Sequence, residues 1–350
     1  MLRPCARAPA LLAACLAVAT ACARPGGAAD AAAGADPEQT YAARLLRHWA
    51  AEGARRSGPP LGTLGAVQPL ADRSVDFALS DLPMTDEQLA RVEGTILHVP
   101  VTLGAVALTY HLPGAALRPR FTPELLAAIA LGQLTAWDDP RLAAVNPDGP
   151  LPALPIAPIR RSDESSTTAI LSAYLDETSP TWRAAVGGGA DAVRRPVGEE
   201  AAADADVERL VRATPGALGY VDLAYALQHG LPLALLQNAA GAFVEPTLDA
   251  VAAAASATLP EDLRARLFSA PDPHAWPLSS FSYVLFFADD PARPRAFAPV
   301  PFLWWAEYDG QKYARSLGHA PLPTPVVDRV YSLLDRLQPA PPSLLTSPPL

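Results

Sequence analysis

Residues 156–175 have the sequence IAPIRRSDESSTTAILSAYL, an apolar run that passes through hydroxyl side chains into a helical pattern. Residues 156–160 are typical of a strand, and Ile170, Leu171 and Tyr174 recur at the spacing of one helix face. A strand that leads directly into a helix is the repeating unit of α/β folds. This stretch therefore predicts an α/β protein.

The same alternation continues along the chain in both directions. Strand-like runs lie at residues 75–79, 96–112, 156–160, 219–221 and 283–288, and helical runs at residues 37–56, 85–92, 122–131, 167–175, 207–213, 299–316 and 325–337. The pattern predicts helices packed on a mixed or parallel sheet. At 350 residues the chain exceeds what one hydrophobic core usually organises, which favours two lobes. Residues 22–36 and 339–350 lack such patterns and predict a flexible tether and a disordered tail.

The composition limits the class of partner. The formal net charge is −9, and Lys312 is the only lysine. Nucleic acid is held by clustered lysine and arginine, so we exclude it as a partner. A small anion remains compatible, because backbone amides, hydroxyls and one guanidinium bind it locally. The six histidines form no metal-ligand pair and no P-loop or GxSxG turn is present, so we predict no metal, cofactor or catalytic centre.

The first residues are typical of an export signal. All three cysteines, Cys5, Cys15 and Cys22, lie there, and two arginines precede an apolar run at residues 8–21. This run is too short to span a bilayer, and we predict that residues 1–21 are removed. The residues before Cys22 fit either an ordinary cleavage site or a lipobox in which Cys22 is lipidated. Those before Cys15 fit the lipobox letters better but leave a very short apolar run.

The hydroxyl cluster before the predicted helix is a candidate anion site. A strand that enters a helix here leaves the first N–H groups of the helix pointing outward, at the positive end of its dipole. Arg161 would add a two-pronged hydrogen bond, and Asp163 would orient its guanidinium. The alternative is structural, with Ser165 or Ser166 as an ordinary helix cap beside a surface ion pair.

A second polar turn, Ser80-Asp81, follows the strand predicted at residues 75–79. Taken alone, Asp81 is more typical of a cap for the turn or for the next helix than of a binding residue.

Taken together, the two segments resemble the periplasmic phosphate-binding proteins of phosphate-specific ABC transporters, and the likeness covers nearly the whole chain after the signal. Five stretches carry it, in the family's order: VDFALSDLP at 75–83, WDD at 137–139, RRSDESST at 160–167, PGALGYV at 215–221 and AWPL at 275–278. Each stretch alone is weak evidence, whereas their order and spacing are specific.

The resemblance implies an α/β, two-lobed type 2 periplasmic-binding-protein fold, with hinge strands between lobes that close on the ligand. By position, the body would comprise residues 37–338, with lobe I at about 37–103 and 277–338 and lobe II at about 104–276. It also implies inorganic phosphate as ligand and an ABC permease of the inner membrane as partner.

The resemblance also implies a set of ligand residues. The matching positions are Thr63, Asp81, Arg161, Ser165 and Thr167, together with the backbone amide of Ser166. An aspartate suits this role, because its carboxylate accepts a hydrogen bond from a protonated phosphate, whereas sulfate has no proton to give.

The chain departs from the family pattern at several places, which include Ser166 in place of the glycine of Ser-Gly-Thr and the loss of most glycines after Thr63. Ala35-Asp36-Pro37 stands where the family has Thr-Phe-Pro, Glu164 stands where a glycine is usual, and residues 198–201 replace a glycine-rich Asn-Asp segment. An alternative function is therefore a fold-retaining accessory, sensor or interaction module of the envelope, with weak, altered or lost anion binding. A hydrolase that uses Asp81 or a histidine is a third hypothesis, and its nucleophile, base and metal sets are incomplete.

Overall fold

The strands of the computed structural model form two sheets. The structure describes residues 68–73, 77–114, 117–162, 165–187, 197–255, 259–288 and 299–337. The strands are β1 (Ala78–Ser80), β2 (Ile96–Tyr110), β3 (Arg120–Phe121), β4 (Ala157–Arg161), β5 (Glu199–Ala201), β6 (Ala217–Asp222), β7 (Leu235–Gln237), β8 (Phe243–Val244) and β9 (Ser279–Phe287). Six of them form one sheet in the order β1-β9-β2-β6-β4-β5, and β3, β7 and β8 form a second sheet.

Helices separate many of these strands. They are α1 (Asp86–Leu89), α2 (Pro123–Ala130), α3 (Pro140–Ala143), α4 (Ser166–Thr178), α5 (Pro180–Ala185), α6 (Asp204–Ala213), α7 (Leu223–His229), α8 (Leu248–Ala254), α9 (Val300–Tyr308) and α10 (Thr324–Leu337). Because β4 runs parallel to β5 and β6 while the other neighbours in the large sheet are antiparallel, the sheet is mixed. The predicted α/β class is confirmed. Within the described ranges, no helix is long and apolar enough to cross a membrane.

Two predicted helices have the wrong extent, since the pattern at residues 85–92 is a helix only over Asp86–Leu89. The helical pattern at residues 299–316 is a helix only as far as Tyr308, and two 3-10 turns follow it, Gly310–Tyr313 and Arg315–Leu317. Glycine is a poor helix former, and from Gly310 onward the backbone adopts the tighter 3-10 conformation instead of continuing the α-helix. The helix predicted at 37–56, the export signal, the tether and the tail lie outside the described residues.

Strand β2 changes its pairing partner along its length. Its residues from Ile96 to Ala105 pair with β9, and those from Val106 to Tyr110 pair with β6. The buried indole of Trp276 donates from Nε1 to the carbonyl oxygen of Val106 at 2.9 Å, at the changeover itself. The changeover lies close to the residue 103/104 boundary that the resemblance implies. The lobe bounds themselves stay a prediction.

Helix α6 packs very closely on strand β6. Gly219 makes this approach feasible, because a Cβ atom there would lie 2.7 Å from Cγ1 of Val207 on α6. The helix is strongly amphipathic, and Val207, Leu210 and Val211 form its buried face. The residues at the start of α6 are thereby held against the carboxyl end of β4, with which β6 pairs.

Candidate anion-binding cleft

A cleft of about 220 Å³ opens where β1, β4 and β9 meet the starts of α4 and α6. Four of the six ligand residues predicted from the sequence line it: Asp81, Arg161, Ser166 and Thr167. These residues come from two segments about 80 positions apart in the chain, which the sheet brings together. Thr63, Asp163 and Cys22 lie outside the described residues, so their predicted roles stay predictions.

Arg161 is the last residue of β4, and its side chain is only 2% exposed. The guanidinium Nη1 forms an ion pair with Oδ1 of Asp204, the first residue of α6. Its backbone N–H donates to the hydroxyl of Tyr220 on β6 at 3.0 Å. The ion pair is thus buried rather than on the surface, and Asp204 is a contact of the guanidinium that the local sequence did not indicate.

The start of helix α4 supplies the hydroxyls and amides of the cleft. Ser165 is the N-cap, and its Oγ accepts the N–H of Thr168 at 3.3 Å. The same oxygen lies 2.8 Å from Oγ1 of Thr167 and 3.0 Å from Oγ1 of Thr168. Ser165 therefore orders the first turn, while Ser166 and Thr167 line the cleft. The predicted role of Ser165 as a direct ligand stays a prediction.

Asp81 lies in the turn after β1 and lines the cleft. Its Oδ1 accepts a hydrogen bond from the hydroxyl of Ser282 at 2.6 Å, and its carbonyl oxygen accepts from Ser280. Helix α1 is capped by Thr85, so Asp81 does not serve as its cap. The sequence alone did not indicate these two serines. They are two residues apart in β9, so both side chains lie on the same face of the strand. That spacing is the signal that would have indicated them.

One rim of the cleft carries a second polar cluster, on α6 and α7. Tyr225 donates to Oε2 of Glu208 at 2.6 Å, and Nδ1 of His229 lies 2.8 Å from the same oxygen. The hydrogen bond from Tyr225 lowers the pKa of Glu208. Burial, followed by the neighbouring Glu208 carboxylate, raises the pKa of Tyr225. Glu208 is therefore ionised and Tyr225 neutral at physiological pH.

The cleft offers charge and hydrogen bonds but no set of metal ligands. Among the described residues, no group of three or more histidine, cysteine or acidic side chains is placed to hold a metal ion. A guanidinium, two hydroxyls and the amino end of a helix of 13 residues are suited to an oxyanion.

Comparison with known proteins identifies the family. Residues 46–298 match the model of the PBP superfamily domain. The chain is 31% identical over 298 residues to the phosphate-binding protein PstS of Xylella fastidiosa, covering 82% of this chain and 80% of the relative. It is 33% identical to PstS of Haemophilus influenzae, with 78% and 82% covered. The chain belongs to the PstS family of the PBP superfamily.

The fold of the PstS-family chain is the two-lobed type 2 form of that superfamily. An ABC-type phosphate transport receptor from Vibrio cholerae superposes with a TM-score of 0.55 at 14% identity, covering 82% of this chain and 97% of the receptor. At this identity the structural likeness concerns the fold alone. The family relationship rests on the sequence matches to PstS proteins.

Proposed function

We propose that this protein is an extracytoplasmic solute-binding protein that captures inorganic phosphate in the cleft and presents it to an ABC importer. The observation that carries the proposal is the meeting of Asp81, Arg161 and the start of α4 on one cleft. Relatives at 31% and 33% identity carry the name phosphate-binding protein PstS, which supports the same ligand.

Each cleft residue has a physical role in this proposal. Arg161 supplies charge-assisted hydrogen bonds to phosphate oxygens, and the amides and hydroxyls at Ser166 and Thr167 add further donors. Asp81 accepts a hydrogen bond from a protonated phosphate oxygen, and Ser282 fixes that carboxylate through Oδ1. Sulfate brings no proton and meets the carboxylate unpaired, which disfavours it. Thr63, Ser165 and Asp163 complete the proposed set.

The ligand is held rather than transformed. We assign lobe I to about residues 37–103 and 277–338 and lobe II to about 104–276, so that Asp81 and Arg161 lie on different lobes. An anion that contacts both residues favours the closed arrangement over the open one. Closure then presents a distinct surface to the permease, and no catalytic step is needed.

Calorimetric titration of phosphate, arsenate and sulfate into the purified protein tests this function. We expect phosphate and arsenate to bind and sulfate not to bind. Phosphate at about 100 times its dissociation constant should stabilise the fold by about 2.7 kcal/mol in denaturant titrations. Arg161→Ala should abolish both effects, whereas Arg160→Ala, which removes an exposed ion pair with Glu200, should retain them.

The same titration tests the second candidate function. Ala35-Asp36, in place of the family's Thr-Phe, removes a hydroxyl donor and adds a negative charge, which favours an envelope module without phosphate binding. Absence of any heat or stabilisation with millimolar phosphate would support that module and contradict the transport function.

We further propose that the protein acts in the periplasm or cell envelope, anchored by a lipid on Cys22 after removal of residues 1–21. Wild-type protein should then partition with membranes, and Cys22→Ala should move it to the soluble fraction. Mass spectrometry that finds an unmodified mature terminus at another residue would contradict the anchor.

A further inference from the structure

A segment between α8 and β9 has no regular structure but is packed into the core. It comprises residues 259–270, which form neither helix nor strand and are called the strap below. The apolar side chains of the strap are nevertheless buried: Leu259, Leu263, Leu267 and Phe268. Connecting segments usually lie on the surface, and long irregular ones are uncommon unless they have a function. Burial of the strap therefore indicates a role beyond joining α8 to β9.

The first half of the strap is tied to the residues that follow Asp81. The guanidinium Nη1 of Arg264 donates to Oδ1 of Asp86 at 2.7 Å and to the carbonyl oxygen of Met84 at 3.2 Å. Its Nε donates to Oδ2 of Asp262, within the strap, at 2.7 Å. The side chain of Arg264 is 25% exposed, so these charge-assisted bonds are partly shielded from water. Arg264 thus holds the strap against the start of α1.

The hydroxyl of Tyr283 holds the backbone of the same half. Tyr283 lies on β9 opposite Ser80 of β1, and its hydroxyl accepts the N–H of Ala265 at 3.2 Å. The same hydroxyl lies 3.3 Å from the carbonyl oxygen of Leu263. Leu263 has a φ of 61°, in the left-handed region that bulky residues rarely adopt. Such a conformation persists only where its surroundings impose it, and it is frequent in segments that bind or move.

The second half of the strap contacts helix α4. The ring of Phe268 packs edge-on against that of Tyr174, with 5.9 Å between their centroids. The hydroxyl of Ser269 donates to Oε1 of Glu177 at 2.8 Å. Glu177 lies roughly 16 Å along the helix axis from Ser166, which lines the cleft. The strap therefore contacts the end of α4 that is far from the proposed anion.

The strap connects the two segments between which the anion is proposed to bind. In the lobe assignment proposed above, Asp81 and α1 belong to lobe I and α4 belongs to lobe II. The chain itself crosses between these lobes near residues 103 and 277, and the strap spans them a third time through side-chain contacts. Movement of one lobe relative to the other must therefore strain or break the contacts of Arg264 or Ser269.

We propose that the strap couples the two lobes and that Arg264 and Ser269 are positioning residues for anion binding. They keep the turn that carries Asp81 and the helix α4 in the arrangement that forms the cleft. Neither Arg264 nor Ser269 lines the cleft, so each acts through the element that it holds. This inference rests on the proposed function and adds two residues outside the cleft to the residues that determine affinity.

The expected effect follows from the population of the binding arrangement. The apparent dissociation constant equals the intrinsic constant divided by the fraction of molecules that can bind. Removal of a strap contact lowers this fraction without changing any group that faces the anion. Phosphate affinity should therefore fall, while the preference for phosphate over sulfate stays as it is in the wild type.

The first test is calorimetric titration of phosphate into Arg264→Met. We expect the dissociation constant to rise about fivefold, the order expected for loss of a partly shielded ion pair. Arg264→Lys, which retains the charge, should recover most of the affinity. Arg266→Met is the matched control, because it removes the same charge from an exposed position of the same strap, and it should bind as the wild type does.

Ser269→Ala gives an independent test with little risk to folding, because Ser269 is exposed. Loss of its hydrogen bond to Glu177 should raise the dissociation constant about twofold to threefold. Ser332→Ala is the matched control, since the hydroxyl of this exposed serine bonds only within α10, to the carbonyl oxygen of Asp328. It should leave the affinity unchanged. If Arg264→Met does not fold, Ser269→Ala decides the question.

Hydrogen exchange of the unliganded protein tests the coupling without phosphate. Arg264→Met should accelerate exchange at residues 174–178 of α4, although Arg264 is bonded to α1 and the turn before it. Ser269→Ala should accelerate exchange at residues 82–90 in the same way. A merely local role of either residue would leave the distant segment unchanged, and both control variants should do so.

The outcomes distinguish this inference from the function on which it rests. Wild-type affinity and unchanged distant exchange in Arg264→Met and Ser269→Ala would overturn the inference, even if both variants unfold more easily, and would leave phosphate capture intact. Equal effects in Arg266→Met or Ser332→Ala would overturn it as well. If wild-type protein binds no phosphate, the proposed function fails, and the exchange measurements still decide whether the strap couples the two segments.

Discussion

At the scale of single residues, the proposed function divides anion recognition between Asp81 and Arg161, with the roles that follow. Arg161 attracts any oxyanion, since a guanidinium is charged at every physiological pH. Asp81 repels an anion unless the anion brings a proton, and Ser282 holds its carboxylate in place at 2.6 Å. If the proposal holds, affinity and selectivity depend on different side chains, which substitutions can separate.

Asp81→Asn should relax the preference for phosphate over sulfate, because a neutral amide donates to sulfate where the carboxylate repels it. Sulfate affinity should rise by more than phosphate affinity falls. Competition titrations with both anions measure the change.

Ser282→Ala is the matched control for Asp81→Asn, because it removes the hydrogen bond to Oδ1 and keeps the negative charge. It should weaken phosphate binding by about 1 kcal/mol and leave the preference unchanged. An unchanged preference in Asp81→Asn would show that Asp81 does not contact the anion.

The sequence predicts part of this site for a physical reason. Arg161 and Ser166 lie in one continuous strand-to-helix segment, so local pattern alone places them beside a helix start. Asp204 follows Arg161 by 43 positions and Ser282 follows Asp81 by 201. Such contacts are set by strand pairing, which no local pattern contains. The cap at Ser165 was among the predicted alternatives, whereas the buried ion pair was not.

At the scale of elements, the position of α6 determines the position of Asp204. The helix approaches β6 at Gly219, where an added Cβ would lie 2.7 Å from Val207 and 3.2 Å from Val211. Protein interiors are too densely packed to absorb such an overlap without movement. The glycine in β6 is thus a structural condition for the charge arrangement in the cleft.

Gly219→Ala should destabilise the fold by about 1–3 kcal/mol, because α6 must shift away from the sheet. Phosphate affinity should change with it, since the shift moves Asp204 relative to Arg161. Denaturant unfolding and phosphate titration measure the two effects.

Gly149→Ala is the comparison for Gly219→Ala, because its Cβ would meet Leu117 at an ordinary 3.5 Å. It should alter stability by less than about 0.5 kcal/mol. Equal stability of the two variants would contradict tight packing of α6 on β6.

At the scale of the whole molecule, two buried titratable groups make the free energy of unfolding depend on pH in opposite directions. His98 accepts the N–H of Met84 at 3.1 Å through Nε2, which requires a neutral ring. Burial, with the nearby Arg264, lowers the pKa of His98 to about 4. Burial raises the pKa of Glu307 well above the usual value of 4.5, so the folded side chain keeps its proton at pH values where an unfolded glutamate loses it.

The free energy of unfolding should pass through a maximum with pH. Below about pH 6.5 the unfolded His98 takes up a proton that the folded ring refuses until about pH 4, so His98 by itself lowers stability across this window by up to about 3 kcal/mol. Above the usual glutamate pKa of 4.5, Glu307 opposes this loss. Above the usual pKa of glutamate the unfolded Glu307 loses a proton that the folded side chain keeps, so stability also falls as pH rises. Denaturant unfolding at a series of pH values measures both slopes.

Two variants that cannot titrate assign these slopes. Glu307→Gln should raise stability at neutral pH, because an amide is neutral in both states. His98→Gln should flatten the acid side, at some loss of stability where packing changes. Identical pH profiles in wild type and both variants would show that other groups control the stability.

The pairing of strand β2 also affects how the chain folds while it is being synthesised. Its second half pairs with β6, but its first half pairs with β9, and Trp276, which binds the changeover at Val106, follows it by 170 positions. A polypeptide emerging from the ribosome therefore exposes an apolar strand whose partner has not yet been synthesised. Pairing over such long sequence separations is slow. This delay would keep an exported chain unfolded for longer. Translocation across a membrane could take place in that interval.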